Sequence, residues 1–385
     1  MAFLLSANGT ILFAPTFPSS KRLLPYCSPS YSLSHPRVII ISASSSSTTE
    51  TLPHLQVGDP NNGLPSAATA RWSEFSRNVS GEWDGYGAYF STDGKPIELP
   101  ESVVPEAFRE WEVKVFDWQT QCPTLAQPEE LLVTYKLIKL LPTVGCEADA
   151  ATQYSIDERK IGGSDNRISA FAYQSSGCYV AVWLMENPQI DGTSSLLELE
   201  HCLVDPKNRE SRVRIIQSVR VDNTKMVLQN VKVFREQWYG PFRNGEQLGG
   251  CAVHESGFAS TDTMKGSEIN GVWQGPVSVA RFQSSEANIF QEFTDESVQK
   301  LVRDERDIIF LPKQLWCSLN EAVGGETCGE VGWMLDSGHA ITSRCVFSSD
   351  AKLKASQCVD FYFCSLLFLI SVLLTEYLMG KSDNY

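Results

Sequence analysis

Gly81-Glu-Trp83-Asp-Gly85 and Gly271-Val-Trp273-Gln-Gly275 decide how this chain is read. Each stretch follows a small polar residue, Ser80 or Asn270, and each leads into strand-like sequence, Tyr86 to Ser91 and Val277 to Phe282. A G-x-W-x-G match is uncommon, and two of them in one chain point to a duplicated domain. Glycine serves where a chain turns in tightly and backbones come close.

Outward from the first copy, Trp72, Phe75 and Val79 fall at i, i+3 and i+7 and predict a short helix with one apolar stripe. After Gly81 the period changes to that of strands. Candidates are Trp111 to Phe116, Leu131 to Leu141, Ile168 to Tyr173, Cys178 to Met185, Leu196 to Leu203, Arg212 to Ile215 and Met226 to Phe234. Gln174 to Gly177 reads as a hairpin turn, and Asp205-Pro206 and Asp222-Asn223 as further turns. A meander of this length has edges to manage, and closure into a barrel does so. The second copy offers Asp307 to Leu311, Gln314 to Leu319, Glu330 to Leu335 and His339 to Phe347. It is shorter, so its last strand is expected to be missing or replaced.

The expected fold class is therefore all-β, with two antiparallel β-barrels in tandem behind a short N-terminal helix. The expected divisions are residues 1–43 as a transit peptide, 44–66 as a flexible linker, 67–240 as the first barrel, 241–270 as an inter-domain linker, 271–357 as the second barrel and 358–385 as an atypical hydrophobic tail. The first acidic residue is Glu50, and the preceding stretch is Ser-rich with Lys21, Arg22 and Arg37, as in chloroplast transit peptides. Phe361 to Leu374 carries no charge and is shorter than the ~20 residues a spanning helix needs. Three readings fit it: a membrane anchor, a helix buried in the core or by a partner, or an aberrant tail from alternative splicing or gene annotation. The abrupt change of composition after Lys354 favours the last.

Of 385 residues, 20% are charged, and the formal net charge is −14. Without residues 1–43, which hold three basic groups and no acidic one, it becomes −17. That balance argues against nucleic-acid binding. The eleven cysteines are scattered and none forms C-x-x-C, so zinc ribbons, thioredoxin-like motifs and a disulfide framework lack support. They read as free thiols, although cysteines remote in sequence can meet in a fold. No P-loop, dinucleotide fingerprint, G-x-S-x-G or H-E-x-x-H occurs. His201, His254 and His339 lie far apart. His201 and Cys202 are adjacent on a strand and point to opposite faces, so they cannot chelate one ion. Glu129-Glu130 and Asp304-Glu305 read as solvated turns. Accordingly no catalytic residue, metal ligand or cofactor is expected.

The most informative polar segment runs from Phe234 to Arg243. Trp238, Tyr239, Phe242 and Arg243 are of the types that dominate interface hot spots, and they crowd a loop containing Gly240 and Pro241. They are the candidate partner-binding residues; packing of one barrel on the other is the competing reading.

A G-x-W on the first strand of an up-and-down barrel resembles the lipocalin and calycin hallmark. That resemblance implies that the Trp plugs one barrel end beneath a cation from a late strand. Arg220 or Arg235 would cover Trp83, and Arg344 would cover Trp273. Gly81, Trp83, Gly85, Gly271, Trp273 and Gly275 would then be structural. More specifically, WSEFSRNVSGEWDG (Trp72 to Gly85), FREQWYGPFRNGEQLGG (Phe234 to Gly250), INGVWQG (Ile269 to Gly275) and FLPKQLWCSL (Phe310 to Leu319) resemble the plant chloroplast family of biogenesis factors required for ATP synthase, a lipocalin-like family long of unknown function. The resemblance spans about residues 68–354. It implies a non-catalytic protein of the chloroplast stroma that holds β and γ subunits of the ATP synthase while the catalytic head is assembled; separately, a monomer is expected. The departure after Lys354 puts closure of the second barrel at issue. A carrier of a small hydrophobic ligand, such as a tetrapyrrole or lipid, is the alternative; a chromophore lyase on the same barrel type ranks below both.

Overall fold

The structure is a computed structural model. It describes residues 67–142, 152–163, 167–185, 194–246, 257–282, 289–322 and 324–363. Helix α1 (Ala67–Val79) buries Trp72, Phe75 and Val79, as their spacing predicts. The Trp72 indole N–H donates to the carbonyls of Gln127 (2.7 Å) and Glu130 (3.0 Å), which ties the helix across one end of the first sheet.

The strands are β1 (Glu82–Phe90), β2 (Asp117–Gln121), β3 (Thr124–Gln127), β4 (Leu132–Leu140), β5 (Gln153–Ile161), β6 (Ile168–Tyr173), β7 (Tyr179–Met185), β8 (Ser194–Val204), β9 (Ser211–Asp222), β10 (Lys225–Gly240), β11 (Gly271–Arg281), β12 (Phe290–Glu292), β13 (Thr294–Arg303), β14 (Ile309–Leu311), β15 (Leu315–Glu321), β16 (Thr327–Asp336), β17 (His339–Phe347) and β18 (Leu353–Phe363). Short helices α2 (Glu106–Glu110) and α3 (Gly266–Ile269) stand before β2 and β11. The chain is all-β, with two sheets in tandem. The first runs β12-β6-β7-β8-β9-β10-β1-β2-β4-β3, with β5 also on β4; the second runs β13-β11-β18-β17-β16-β15-β14. All pairings between neighbours in these sheets are antiparallel except β12 on β6, so the second stretch of chain sends one short strand into the first sheet.

The two G-x-W-x-G stretches occupy equivalent places. Trp83 donates its indole N–H to the Val79 carbonyl (2.9 Å), and Trp273 donates to the Ile269 carbonyl (2.8 Å), each four residues back at the end of a helix. Gly81 (φ 146) and Gly271 (φ 136) take backbone conformations that favour glycine. A Cβ on Gly85 would stand 1.8 Å from the Arg235 carbonyl oxygen, and one on Gly275 would stand 1.9 Å from that of Asp360. The partner strands are β10 and β18, so β18 is to the second sheet what β10 is to the first. Trp238 lies opposite Trp83, and Phe363 lies opposite Trp273.

That equivalence bears on the tail. The boundary expected between residues 357 and 358 falls inside β18, and Phe361 to Phe363 extend as strand, not helix, because they complete the pairing with β11. The last strand is present. Residues 364–385, which include the rest of the apolar run, lie outside the described residues, as do the expected transit peptide and linker.

Other expectations are corrected. Trp111 to Phe116 do not form a strand: Pro105 opens α2, Trp111 closes it, and Glu112 has φ 54. Alternation over six residues cannot outweigh those local turns. The loop expected to hold Trp238 and Tyr239 is strand as far as Gly240.

Between the sheets lies a continuous apolar seam. Val213, Ile215, Val231 and Val233 of the first sheet pack with Leu315, Cys317, Val331 and Trp333 of the second. Two polar side chains bridge it: Gln217 Nε2 donates to the Ser318 carbonyl (2.9 Å), and His201 Nδ1 meets Ser343 Oγ at 2.8 Å.

Gly85→Ala and Gly275→Ala should each cost about 3 kcal/mol, because backbone must move to admit the methyl. Gly257→Ala, at φ 80 with nothing within 4 Å of an added Cβ, should cost only about 1 kcal/mol for its left-handed backbone. Urea unfolding of the three variants checks this ordering.

Candidate functional site

On β9, residues 212–215 alternate Arg-Val-Arg-Ile, and neighbouring strands do the same with Glu198 and Glu200 on β8 and Lys232, Phe234 and Glu236 on β10. Alternate residues of a strand face opposite sides of its sheet. Here the valines, leucines and isoleucines face the seam, and the charges face the lumen of the first sheet.

There the charges meet one another. Arg212 Nε donates to Glu236 Oε2 (2.6 Å) and Nη2 donates to Thr124 Oγ1 (3.3 Å). Arg214 grips Glu236 through Nε (3.0 Å) and Nη2 (2.7 Å), and reaches Glu200 Oε1 through Nη1 (3.0 Å). Glu200 also accepts from Tyr179 (2.8 Å), Tyr135 (2.5 Å) and the Trp183 indole (2.9 Å). Arg159 Nη2 bridges Glu198 (2.7 Å) and Asp157 (2.9 Å), and Lys232 closes the chain on Glu198. Four cations thus face four carboxylates. Tyr135 stands on β4 and Glu200 on β8, five strands apart in the sheet order, so the sheet is rolled around this network.

Arg212 lies over Trp83 with its guanidinium carbon 4.0 Å from the ring. The cation–π partner expected from the resemblance is therefore present, but it is neither Arg220 nor Arg235. Arg220 pairs with Asp222 (2.9 Å) toward solvent, and Arg235 lines a cleft on the seam. Both residues are on late strands, as the expectation required, but Arg235 lies toward the seam. Arg220, on the same face of β9 as Arg212, pairs opposite Val227, far along the strand from the Trp83 end, where Arg212 pairs opposite Glu236. The second lumen differs again. Arg344 does not cover Trp273; it binds Glu330 (2.6 Å), which Arg303 also binds. Arg303 lies 5.4 Å from the rings of Trp316 and Phe361, while Trp273 meets Phe363 edge-on at 5.2 Å.

Burial alone would raise the Glu200 pKa, but the Arg214 and Arg159 charges outweigh it and hold the carboxyl at about 2. Burial likewise opposes, and the Arg303 and Arg344 charges win, at Glu330, also about 2. His201 goes the other way: burial keeps it neutral down to about 4. It is a satisfied core histidine, and Cys202 beside it lies in the lumen-side cluster. Asp84 is the exception. Burial raises it to about 6, with nearby Glu82 adding to the effect, while the Gln121 amide (3.2 Å) opposes it. Among the described residues no three His, Cys, Asp or Glu side chains converge as metal ligands. His339 contacts Asp360 (2.5 Å) and stacks on Tyr362, whereas His254 lies outside the described residues.

The four sequence candidates divide. Trp238 is part of the barrel motif: it donates to the Ser80 carbonyl (3.3 Å) and packs where a Gly81 Cβ would be. The backbone N–H of Arg243 donates to the Glu82 carboxylate, and its guanidinium lies 5.9 Å from the Tyr239 ring. Tyr239, 53% exposed, and half-buried Phe242 remain the outward-facing pair. Sequence reading passed over the lumen network. Its signal was charges at i and i+2 within strands whose other face is mostly apolar.

No family model matches the chain, and no curated protein matches it. Among solved structures, it is similar to a protein of unknown function from the DUF3598 family of Nostoc punctiforme, with 12% identity over 76% of this chain and 99% of that one, and a TM-score of 0.45.

Glu200→Gln should destabilise the protein by about 3 kcal/mol, since it leaves buried arginines short of a counter-charge. The pH response should have opposing parts. The Glu200 and Glu330 contributions are in place above pH 4.5, the ordinary value, and are lost towards pH 2. That of His201 is full above pH 6.5 and is lost as the pH falls through 4. That of Asp84 is full below pH 3.8 and is lost as the pH rises through 6. Asp84→Asn should thus raise the thermal midpoint at pH 7.5 by a few degrees and leave it unchanged near pH 3.5, as read by calorimetry.

Proposed function

We propose that this protein is a non-catalytic binding factor of the chloroplast stroma that engages other proteins through its outer surface. Its partners would be the β and γ subunits of the ATP synthase, as the sequence resemblance implies. The observation that carries the reading is the occupied lumen of the first sheet. Trp83, Arg212, Arg214 and Glu200 are each at most 1% exposed. A void large enough for a lipid or tetrapyrrole would leave these lining side chains accessible to solvent. Their charges are also paired with one another, so these side chains offer an incoming ligand no free counter-charge.

Recognition then falls to the exterior. Two clefts, of about 820 and 580 Å³, lie along the seam and draw residues from both sheets. Tyr239 and Phe242 add an aromatic edge at the end of β10. The acidic balance of the chain would steer it towards basic segments of an unassembled subunit and keep it soluble meanwhile. An assembly factor must also release its client, so micromolar to nanomolar affinity is expected.

The test is a pull-down from chloroplast stroma with the tagged chain, read by mass spectrometry. Both ATP synthase subunits should be enriched, and Tyr239→Ala with Phe242→Ala should cut the recovery about tenfold, as hot-spot residues do. Enrichment that survives the double change keeps the role and moves the surface to the seam clefts. No enrichment of either subunit overturns the role.

A further inference from the structure

The connection from β1 to β2 leaves the sheet and folds into a small platform around α2. Its inner side is an apolar cluster: Leu99, Val103 and Val104 pack with Trp118, and Phe108 and Val115 lie against them. Its outer side carries Ile97, Trp111 and Val113, which are 44%, 60% and 47% exposed. Backbone hydrogen bonds fix all three on the platform. The Val113 N–H donates to the Phe108 carbonyl (2.9 Å), that of Trp111 to Ala107 (3.0 Å), that of Leu99 to Val115 (2.8 Å) and that of Ile97 to Tyr89 (2.8 Å). The Trp111 ring meets Phe108 edge-on at 6.2 Å. Of the nine tryptophans, seven are buried and Trp238 is half-buried, so Trp111 alone is exposed.

From Ile97 to Lys114 the chain carries five glutamates against two cations, Arg109 and Lys114. Glu98 pairs with Lys114 (3.5 Å). Glu101, Glu106, Glu110 and Glu112 are exposed, and none of them forms an ion pair among the described residues. Glu110 and Glu112 flank Trp111. Glu106 stands one helical turn before Glu110, where like charges repel. A helix that only supported the sheet would gain from a cation there. Single exposed apolar residues call for no explanation, but an aromatic-centred patch with a charged rim is how interfaces are built. We propose that this platform is a docking surface for a basic, amphipathic segment of another protein. Apolar side chains of the segment would cover Ile97, Trp111 and Val113, and its Lys or Arg residues would meet the glutamates.

Charge selects this occupant over others. Nucleic-acid phosphates and an anionic lipid leaflet are repelled by the glutamates. A second copy meeting the patch across a twofold axis would set glutamates against glutamates. A basic segment gains twice, because an exposed indole face also attracts a guanidinium or ammonium group. The platform shares no residue with the seam clefts or with the Tyr239 and Phe242 edge. It would serve the binding role proposed above, but no ATP synthase subunit enters its test, so the surface and the partners fail separately.

The test uses the purified full chain and a synthetic amphipathic helical peptide built only of Leu and Lys, with a Leu and Glu peptide of the same pattern as control. Affinity is read by titration calorimetry, and shielding of Trp111 by caesium quenching of tryptophan emission. In the free chain caesium should quench one tryptophan strongly, and Trp111→Phe should abolish that component. The Lys peptide should bind with micromolar affinity and protect Trp111, and the Glu peptide should not bind. Trp111→Ala should weaken binding about tenfold, and so should Glu106→Gln, Glu110→Gln and Glu112→Gln together. Neutralising three exposed glutamates elsewhere, Glu129→Gln, Glu210→Gln and Glu321→Gln, should change it less than about twofold. Equal losses in the two triple variants would show that binding follows net charge alone and overturn the proposal. So would a Lys peptide that fails to bind or leaves Trp111 open to caesium, and so would a Trp111 already shielded in the free chain, whether by a second copy or by another part of the same chain.

Discussion

Arg214 sits between Glu236 and Glu200, and the rest of the first sheet depends on that placement. A buried guanidinium is tolerated only when its donors are met by carboxylates at short range. The two glutamates come from β10 and β8, on either side of β9, so the ion pairs fix three strands at once. Arg159 and Tyr135 carry the same network to β5 and β4 across the lumen. A one-residue slip of β9 would put two arginines into an apolar seam and two branched residues among carboxylates. Register is therefore set by charge more than by hydrophobic pattern.

The same arrangement explains how the sheets associate. Small barrels commonly fill their interior with apolar side chains and show a polar exterior. The first sheet reverses this over β8 to β10, where the lumen is ionic and the outer face carries Leu203, Val213, Ile215, Val231 and Val233. That face has to be covered, and β15 to β17 cover it. The second sheet repeats the scheme on a smaller scale, with Arg303, Glu330 and Arg344 inside and Val331, Trp333 and Ile341 on the seam. The protein thus places part of its apolar surface between the two sheets, beside the apolar clusters around Trp83 and Trp273 within each.

Much of this was legible from the sequence and part of it was not. The repeated G-x-W-x-G gave the duplication because each of its residues answers a local demand: a glycine at positive φ, an indole bonded four residues back, and a glycine against a carbonyl. Strands with strong alternation, such as His339 to Phe347, matched to the residue. β2, β3, β5 and β13 went unread because they are short or polar on both faces, and β18 because its apolar end looked like a tail. Alternation at Arg212 to Ile215 revealed a strand but not its orientation; which face is inside depends on partners on β8 and β10, far off in sequence. For the same reason Arg212 could not be chosen over Arg235, and choosing it over Arg220, on the same face of β9, needed the strand pairing that sets Arg212 beside Trp83. Trp238 looked like a contact residue because an aromatic beside Gly and Pro is ambiguous until its partner, here Gly81, is known.

The central claim is that the lumen of the first sheet is occupied by its own ion pairs and recognition takes place outside. Native mass spectrometry of the purified chain after incubation with a chloroplast pigment and lipid extract tests it most directly. The account predicts a single species at the mass of the chain alone. A stoichiometric adduct of several hundred daltons, released on unfolding and lost in a variant with a lumen residue such as Phe234 enlarged to Trp, would contradict it.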